Sequence, residues 1–178
     1  MKVNIHKHVN FSEKDIEKLS SSIQVLQAVL GSSEFKEEVL KYTYNGKNGY
    51  YYRKNIKGDW IDQPYSNEEV YRIIMKGQEK LGNIHDNECD LYLEIDKDDH
   101  STVIGYTYPG DKTIYTYRNW FRSFNAIGYA SHLAHEWCHE LGFSHSKKKT
   151  VRRKHSVPYA IGNMIGRIYP QLKISNNN

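Results

Sequence analysis

His135-Glu136-Trp137-Cys138-His139-Glu140-Leu141-Gly142-Phe143-Ser144-His145 is the stretch on which the fold turns. Residues four apart on a helix stack on one face, so His135 and His139 can share a single ion. Glu136, beside the first imidazole, is placed to take a proton from a metal-bound water without being spent as a ligand. His145 reaches the same ion only if the helix stops. Continued as helix, it would lie about 120° round the axis and about 9 Å beyond His139. Gly142 stands where the stop is needed, because glycine enters the left-handed conformation that ends helices. Three neutral imidazoles with a fourth position left open describe a catalytic zinc site better than a closed structural one.

The pattern H-E-x-x-H-x-x-G-x-x-H over 135–145 resembles the zinc-binding signature of the metzincin metallopeptidases. The resemblance covers this motif and points to no particular subfamily. It implies Zn2+ on His135, His139 and His145, with Glu136 as general base and Gly142 as the turn between the second and third ligands. It implies an α+β fold of the two-lobe zincin kind: a small twisted mixed sheet, an active-site helix, and a short C-terminal lobe with a helix. Residues 1–178 would then be one catalytic domain, the upper lobe about 1–142 and the lower about 143–178. In that family an antiparallel edge strand lines the cleft and pairs with an extended peptide. A turn bearing a methionine passes beneath the zinc.

Length and composition agree with one domain. A chain of 178 residues is long enough to bury a real core. Mean hydropathy is −0.77, and fifteen tyrosines supply much of the apolar area. The net charge of +4 is carried by one segment. Six of the Lys and Arg residues lie within 147–154, and without them the balance falls to −2. That tract is expected to be a solvated connector, with attraction of an anionic substrate as the sharper alternative. Nucleic-acid binding is not expected, since no recognisable nucleic-acid module accompanies the run. Cys89 and Cys138 leave one disulfide open and supply no framework. The N-terminal residues lack the apolar run of a secretory signal, and no segment approaches membrane length. The protein is therefore expected to stay inside, to leave by another route, or to be shown without its leader. The sequence does not set its oligomeric state.

Around the motif, the pattern alternates between helix and strand. Ser12 and Asp15 open a helix whose apolar positions Ile16, Leu19, Ile23, Leu26 and Leu30 run to Gly31. A short helix is expected at 33–41, and 42–65 reads as hairpin or irregular, with a turn at Asn45-Gly46. Ser66 and Glu69 form a capping box for a helix to about Leu81. Strands are expected at 89–96, 102–108 and 112–117, the last two joined through Pro109-Gly110-Asp111. Either of them can be the edge strand. The motif helix should span about 125–141, and the tail 176–178 should fray.

Downstream of His145, Ser156-Val157-Pro158-Tyr159 reads as a tight turn, followed by a short helix that ends before Pro170. Pro158 stands where the family pattern would carry a methionine. Either this turn serves without Met, or Met164 forms the floor under the zinc. In the first case Tyr159 is a candidate donor to the transition state, set against an ordinary core role. His132 can touch the site as an outer partner, and His155 flanks the basic tract. His6, His8, His85 and His100 are expected at the surface.

The function implied is a zinc-dependent endopeptidase acting on a peptide or protein substrate, with Glu136 and Tyr159 as its catalytic groups. The alternatives are a zinc-bearing binding protein of the same fold that cleaves nothing, and a zinc amidase acting on cell-wall-type polymers.

Overall fold

The computed structural model describes residues 1–175 apart from 52, 55, 56, 58, 62, 63, 82–84, 100, 101 and 109. The chain opens with a strand, β1 (Lys2–Val9), then two helices, α1 (Glu13–Leu30) and α2 (Ser33–Leu40). Ser12 and Asp15 open α1 as expected, and they do so as a capping box: each side chain accepts from the other's backbone N–H. Two short hairpins follow, β2 (Thr43–Tyr44) with β3 (Lys47–Asn48) and β4 (Arg53–Lys54) with β5 (Trp60–Ile61). Asn45 and Gly46 both have positive φ, as the two-residue hairpin turn requires.

The helix α3 (Asn67–Met75) is capped by Ser66, whose side chain accepts from the Glu69 N–H. It stops six residues short of the expected Leu81. Gly77, at φ +54, turns the chain, and a Cβ there would fall 2.1 Å from the Glu88 carbonyl oxygen. The chain is thus bent back against the start of the next strand.

That strand is β6 (Glu88–Asp96), followed by β7 (Gly105–Tyr106), β8 (Thr113–Tyr117) and a short helix, α4 (Arg118–Ser123). The four-stranded sheet runs β1-β6-β8-β7; β1, β6 and β8 are parallel and β7 is antiparallel to β8. The strand expected over 102–108 therefore pairs only at Gly105–Tyr106, and it forms the edge, while β8 is interior. The turn before β8 closes through the Asp111 N–H donating to the Tyr108 carbonyl at 3.0 Å. Pro109, His100 and the tail 176–178 lie outside the described residues. Burial alternates along β8 and along β6 from Leu91 onward, whereas Cys89 and Asp90 before it are both buried. Leu91, Leu93, Ile95, Ile114 and Thr116 are buried, while Tyr92, Glu94, Tyr115 and Tyr117 between them are half-buried.

The remaining elements are α5 (Ala126–Glu140), α6 (Val151–Lys154) and α7 (Val157–Ser175). The helix α5 packs on α7 and α1, and Trp137, Tyr129 and Leu133 enter the core shared with Leu26, Val29 and Ile165. Each such large apolar side chain contributes about 1.5–3 kcal/mol by burial. Two expectations for the C-terminal region are overturned. The 156–159 segment is not a separate turn: Val157, Pro158 and Tyr159 form the first turn of α7, where proline's missing N–H costs nothing. Nor does the helix end before Pro170, which lies inside it. Ile161, Ile165 and Ile168 are buried and Leu172 packs on the same core, so burial continues across the proline and outweighs one lost backbone bond.

The fold is thus mixed α and β with a small mixed sheet, in keeping with the α+β class. Among the described residues, no helix is long and apolar enough to cross a membrane. Cys89 and Cys138 are both buried and free.

Candidate metal centre

Asn125 caps α5, its side chain accepting from the Gly128 N–H at 2.8 Å. The helix then carries His135, Glu136 and His139 inward. It ends where the spacing requires. Gly142 has φ +88; its N–H donates to the His139 carbonyl at 2.9 Å, and the Phe143 N–H to the Cys138 carbonyl at 3.0 Å. These paired bonds are the Schellman termination. The left-handed φ favours glycine here, while a Cβ would meet only the movable end of the Lys80 side chain. The turn brings His145 back beneath the helix.

The three imidazoles converge. Ring centroids are 5.2 Å apart for His135–His139, 5.2 Å for His135–His145 and 5.0 Å for His139–His145. Each residue offers a ligand atom lying within 4.8 Å of the others, and the Nε2 atoms of His135 and His145 are 3.2 Å apart. Tetrahedral zinc with bonds of roughly 2.0–2.1 Å separates its ligands by about 3.3 Å, so this pair fits such an ion. Two of the outer nitrogens are engaged. Nδ1 of His139 donates to the Phe143 carbonyl at 2.9 Å, and Nδ1 of His145 to the Ser146 carbonyl at 3.2 Å. Those bonds fix the tautomers that leave Nε2 free for a metal. Burial lowers the pKa of all three, His145 to about 4, so the rings are neutral, as ligands must be.

Glu136 is 7% exposed. Burial, with the neighbouring Glu140 carboxylate, pushes its carboxyl up to about 8. Its polar neighbour is His132, one turn earlier on α5, with Nδ1 3.8 Å from Glu136 Oε1.

Tyr159 is brought to the triad from α7. Its ring centroid lies 4.6 Å from His135 and 4.8 Å from His145. Its hydroxyl accepts from Nη2 of Arg153, whose Nη1 donates to the Lys147 carbonyl at 2.8 Å. Met164 does not share that face. It lies five residues on, about 140° round the helix, and lines a groove with Glu37, Glu38, Lys41, Tyr42 and Arg167. Between them, Gly162 allows α7 to press on α5: a Cβ would lie 2.9 Å from the Ser131 carbonyl oxygen and 3.4 Å from His135 Cβ.

The basic tract is not simply a solvated connector. Lys147, Lys148, Lys149, Arg152 and Lys154 are exposed, but Arg153 is tucked against Tyr159 and Arg152 lies 5.4 Å over the Tyr51 ring. His155 is anchored elsewhere, Nδ1 2.7 Å from the Tyr42 hydroxyl and its ring 4.3 Å from Tyr44. His6, His8 and His85 are exposed; His6 pairs with Asp90 at 2.8 Å and stacks on Tyr92. Sequence reasoning missed the roles of Arg153, Thr116, Gly105 and Gly162. Only Gly162 had a legible signal: with Gly166, four residues on, it marks one helix face narrow enough for close packing. Compared with known protein families, characterised proteins and solved structures, the chain matches none.

Proposed function

We propose that this chain is a zinc-dependent endopeptidase of metzincin type, acting on peptide or protein substrates. One observation carries the reading. Three half-buried imidazoles, two of them with the outer nitrogen already bonded, converge so that one ion could join them, and the buried Glu136 follows the first of them on α5 without belonging to that ligand group. His135, His139 and His145 would hold the ion. When bound, zinc supplies Lewis-acid polarisation of the scissile carbonyl and lowers the pKa of its water toward about 7.

The chain's own groups perform the rest. A cation beside Glu136 opposes the burial that raises its carboxyl, so the carboxylate becomes available as a base. Glu136 accepts the proton of the attacking water and returns one to the leaving amine. Tyr159 stands across the triad from the motif helix. Its oxygen accepts from Arg153, which leaves the hydroxyl proton free for the developing oxyanion. The edge strand β7 offers backbone groups to an extended peptide.

The test is a peptide-library digest by the zinc-loaded protein, with and without chelator, beside Glu136→Gln carrying the same zinc. Cleavage that needs both metal and Glu136 is expected. A fully loaded protein that cleaves no peptide overturns the reading and leaves a metal-binding protein without turnover.

A further inference from the structure

His132 is 6% exposed, and its two ring nitrogens face different elements. Nε2 lies 3.0 Å from Thr116 Oγ1 on β8, a side chain that is itself fully buried. Nδ1 faces Glu136 Oε1 across 3.8 Å. The ring is clamped. Phe124 stacks on it at 6.1 Å and 22°, and Tyr129 packs at 6.0 Å and 33°. The edge strand closes the remaining side: a Cβ at Gly105 would sit 2.9 Å from His132 Nε2 and 2.2 Å from the Tyr115 carbonyl oxygen. Glycine is therefore required on β7 for the imidazole to stand where it does.

A buried polar ring is costly unless its nitrogens are matched. Burial holds His132 neutral, so one nitrogen carries a hydrogen and the other a lone pair, and the partner of one sets the state of the other. Thr116 can donate its hydroxyl hydrogen to Nε2. The imidazole hydrogen then resides on Nδ1, aimed at Glu136. On α5 the two residues are four apart, the spacing at which side chains meet.

We propose that His132 is a positioning residue, taking the Thr116 hydroxyl hydrogen at Nε2 and orienting the Glu136 carboxylate through Nδ1–H. The inference rests on the reading of Glu136 as general base. It adds a link that the metal motif does not contain, from the edge pair of strands through His132 to the proton acceptor. No ligand of the metal takes part in it.

The test has two arms. The first needs neither metal nor turnover. Nitrogen-15 spectra of histidine-labelled, metal-free protein are recorded over a range of pH, with His132→Leu assigning the signal. The Nδ1–H tautomer is expected, and Thr116→Val should reduce its share. An Nε2–H tautomer in the wild-type protein overturns the proposal. The second arm is kinetic. His132→Leu should lower kcat by roughly 10–100-fold, with KM within about threefold and zinc content unchanged, the mark of an interaction made in the transition state. His132→Asn, whose amide nitrogen falls at the Nδ1 position, should restore most of that loss. In the Glu136→Gln background His132→Leu should cost nothing further. Equal losses in the Leu and Asn variants, tracking their fall in Tm, would reduce His132 to packing. An inactive wild-type protein overturns the peptidase reading alone, and the tautomer still decides His132.

Discussion

The helices α5 and α7 form the two walls of the candidate centre, and they encode their contributions in different ways. On α5 the chemistry is written along a single helix: His135 and His139 at a spacing of four, Glu136 beside the first, Gly142 at the end. Each position follows from the geometry of one helix and its termination. On α7 the contribution depends on how two helices approach. Tyr159 reaches His135 because Val157 and Pro158 start the helix early and Gly162 lets it press on Ser131. The first kind of information is local and needs no partner to be read. The second exists only once the partner helix is in place.

The sharpest way to break the contrast is to remove chemistry from α5 while keeping its shape. Glu136→Gln should retain about one zinc per chain and the parent Tm, yet lose activity by roughly 10²–10⁴-fold, the range for a positioned acid–base group. Metal analysis, melting and hydrolysis on the same preparation check this. Activity within tenfold of the parent would show that another group takes the proton.

The corresponding cut on α7 should be milder. Tyr159→Phe removes one oxygen and keeps the ring between His135 and His145. A lost oxyanion donor lowers kcat by about 10²-fold and kcat/KM with it. Tyr159 is half-buried, so the Phe variant should melt with the parent. A kcat within about twofold of the parent would assign Tyr159 to packing. The Arg153 bond to its hydroxyl would then be structural.

Gly162→Val tests how the walls meet rather than what they carry. The added side chain must move the Ser131 carbonyl, since even its Cβ would lie 2.9 Å away. Overpacking of this kind costs about 1–3 kcal/mol, seen as a Tm lowered by roughly 2–10 °C. Because the same Cβ would lie 3.4 Å from His135 Cβ, zinc affinity should fall along with stability. A variant that keeps both would place the close approach of α7 outside the requirements of the centre.

The division between local and cross-element information runs through the whole molecule. The helix start at Ser12 and Asp15, the Asn45-Gly46 turn, the Ser66 cap and strand β6 are legible because each is decided by neighbours in sequence. Strand β1 is not. Lys2–Val9 carries lysines and histidines and a register shift between Ile5 and Lys7, and it becomes a strand only by pairing in parallel with β6, more than 80 residues away. The helix α3 ends earlier than its local pattern suggests because Gly77 answers to the Glu88 carbonyl, a contact absent from that pattern. Pro170 reads as a stop because its cost is local, whereas the burial of Ile165 and Ile168 that offsets it comes from other elements. In the candidate centre the convergence of the three imidazoles follows from their spacing and the Gly142 turn. The place of Arg153 does not, since nothing near it in sequence distinguishes it from the lysines around it.

That last difference supports the smallest effect. Within 147–154, Lys147, Lys148, Lys149 and Lys154 are exposed, and Arg153 is held by the Lys147 carbonyl and the Tyr159 hydroxyl. Exposed charges act through a field that salt screens over about 8–10 Å near physiological ionic strength, whereas a partly buried hydrogen bond is screened far less. If the tract attracts an acidic substrate, kcat/KM should fall a few-fold between about 50 and 300 mM salt, with kcat nearly constant. Changing the four exposed lysines to glutamine should flatten that dependence and leave kcat unchanged at every salt concentration. Arg153→Met should do the opposite. It leaves most of the field in place but removes the donor to Tyr159, so kcat falls while the salt slope stays close to that of the parent. Should the lysine variant keep the full salt slope, the tract does not steer substrate. Its one functional contact would then be the arginine that reaches the second wall.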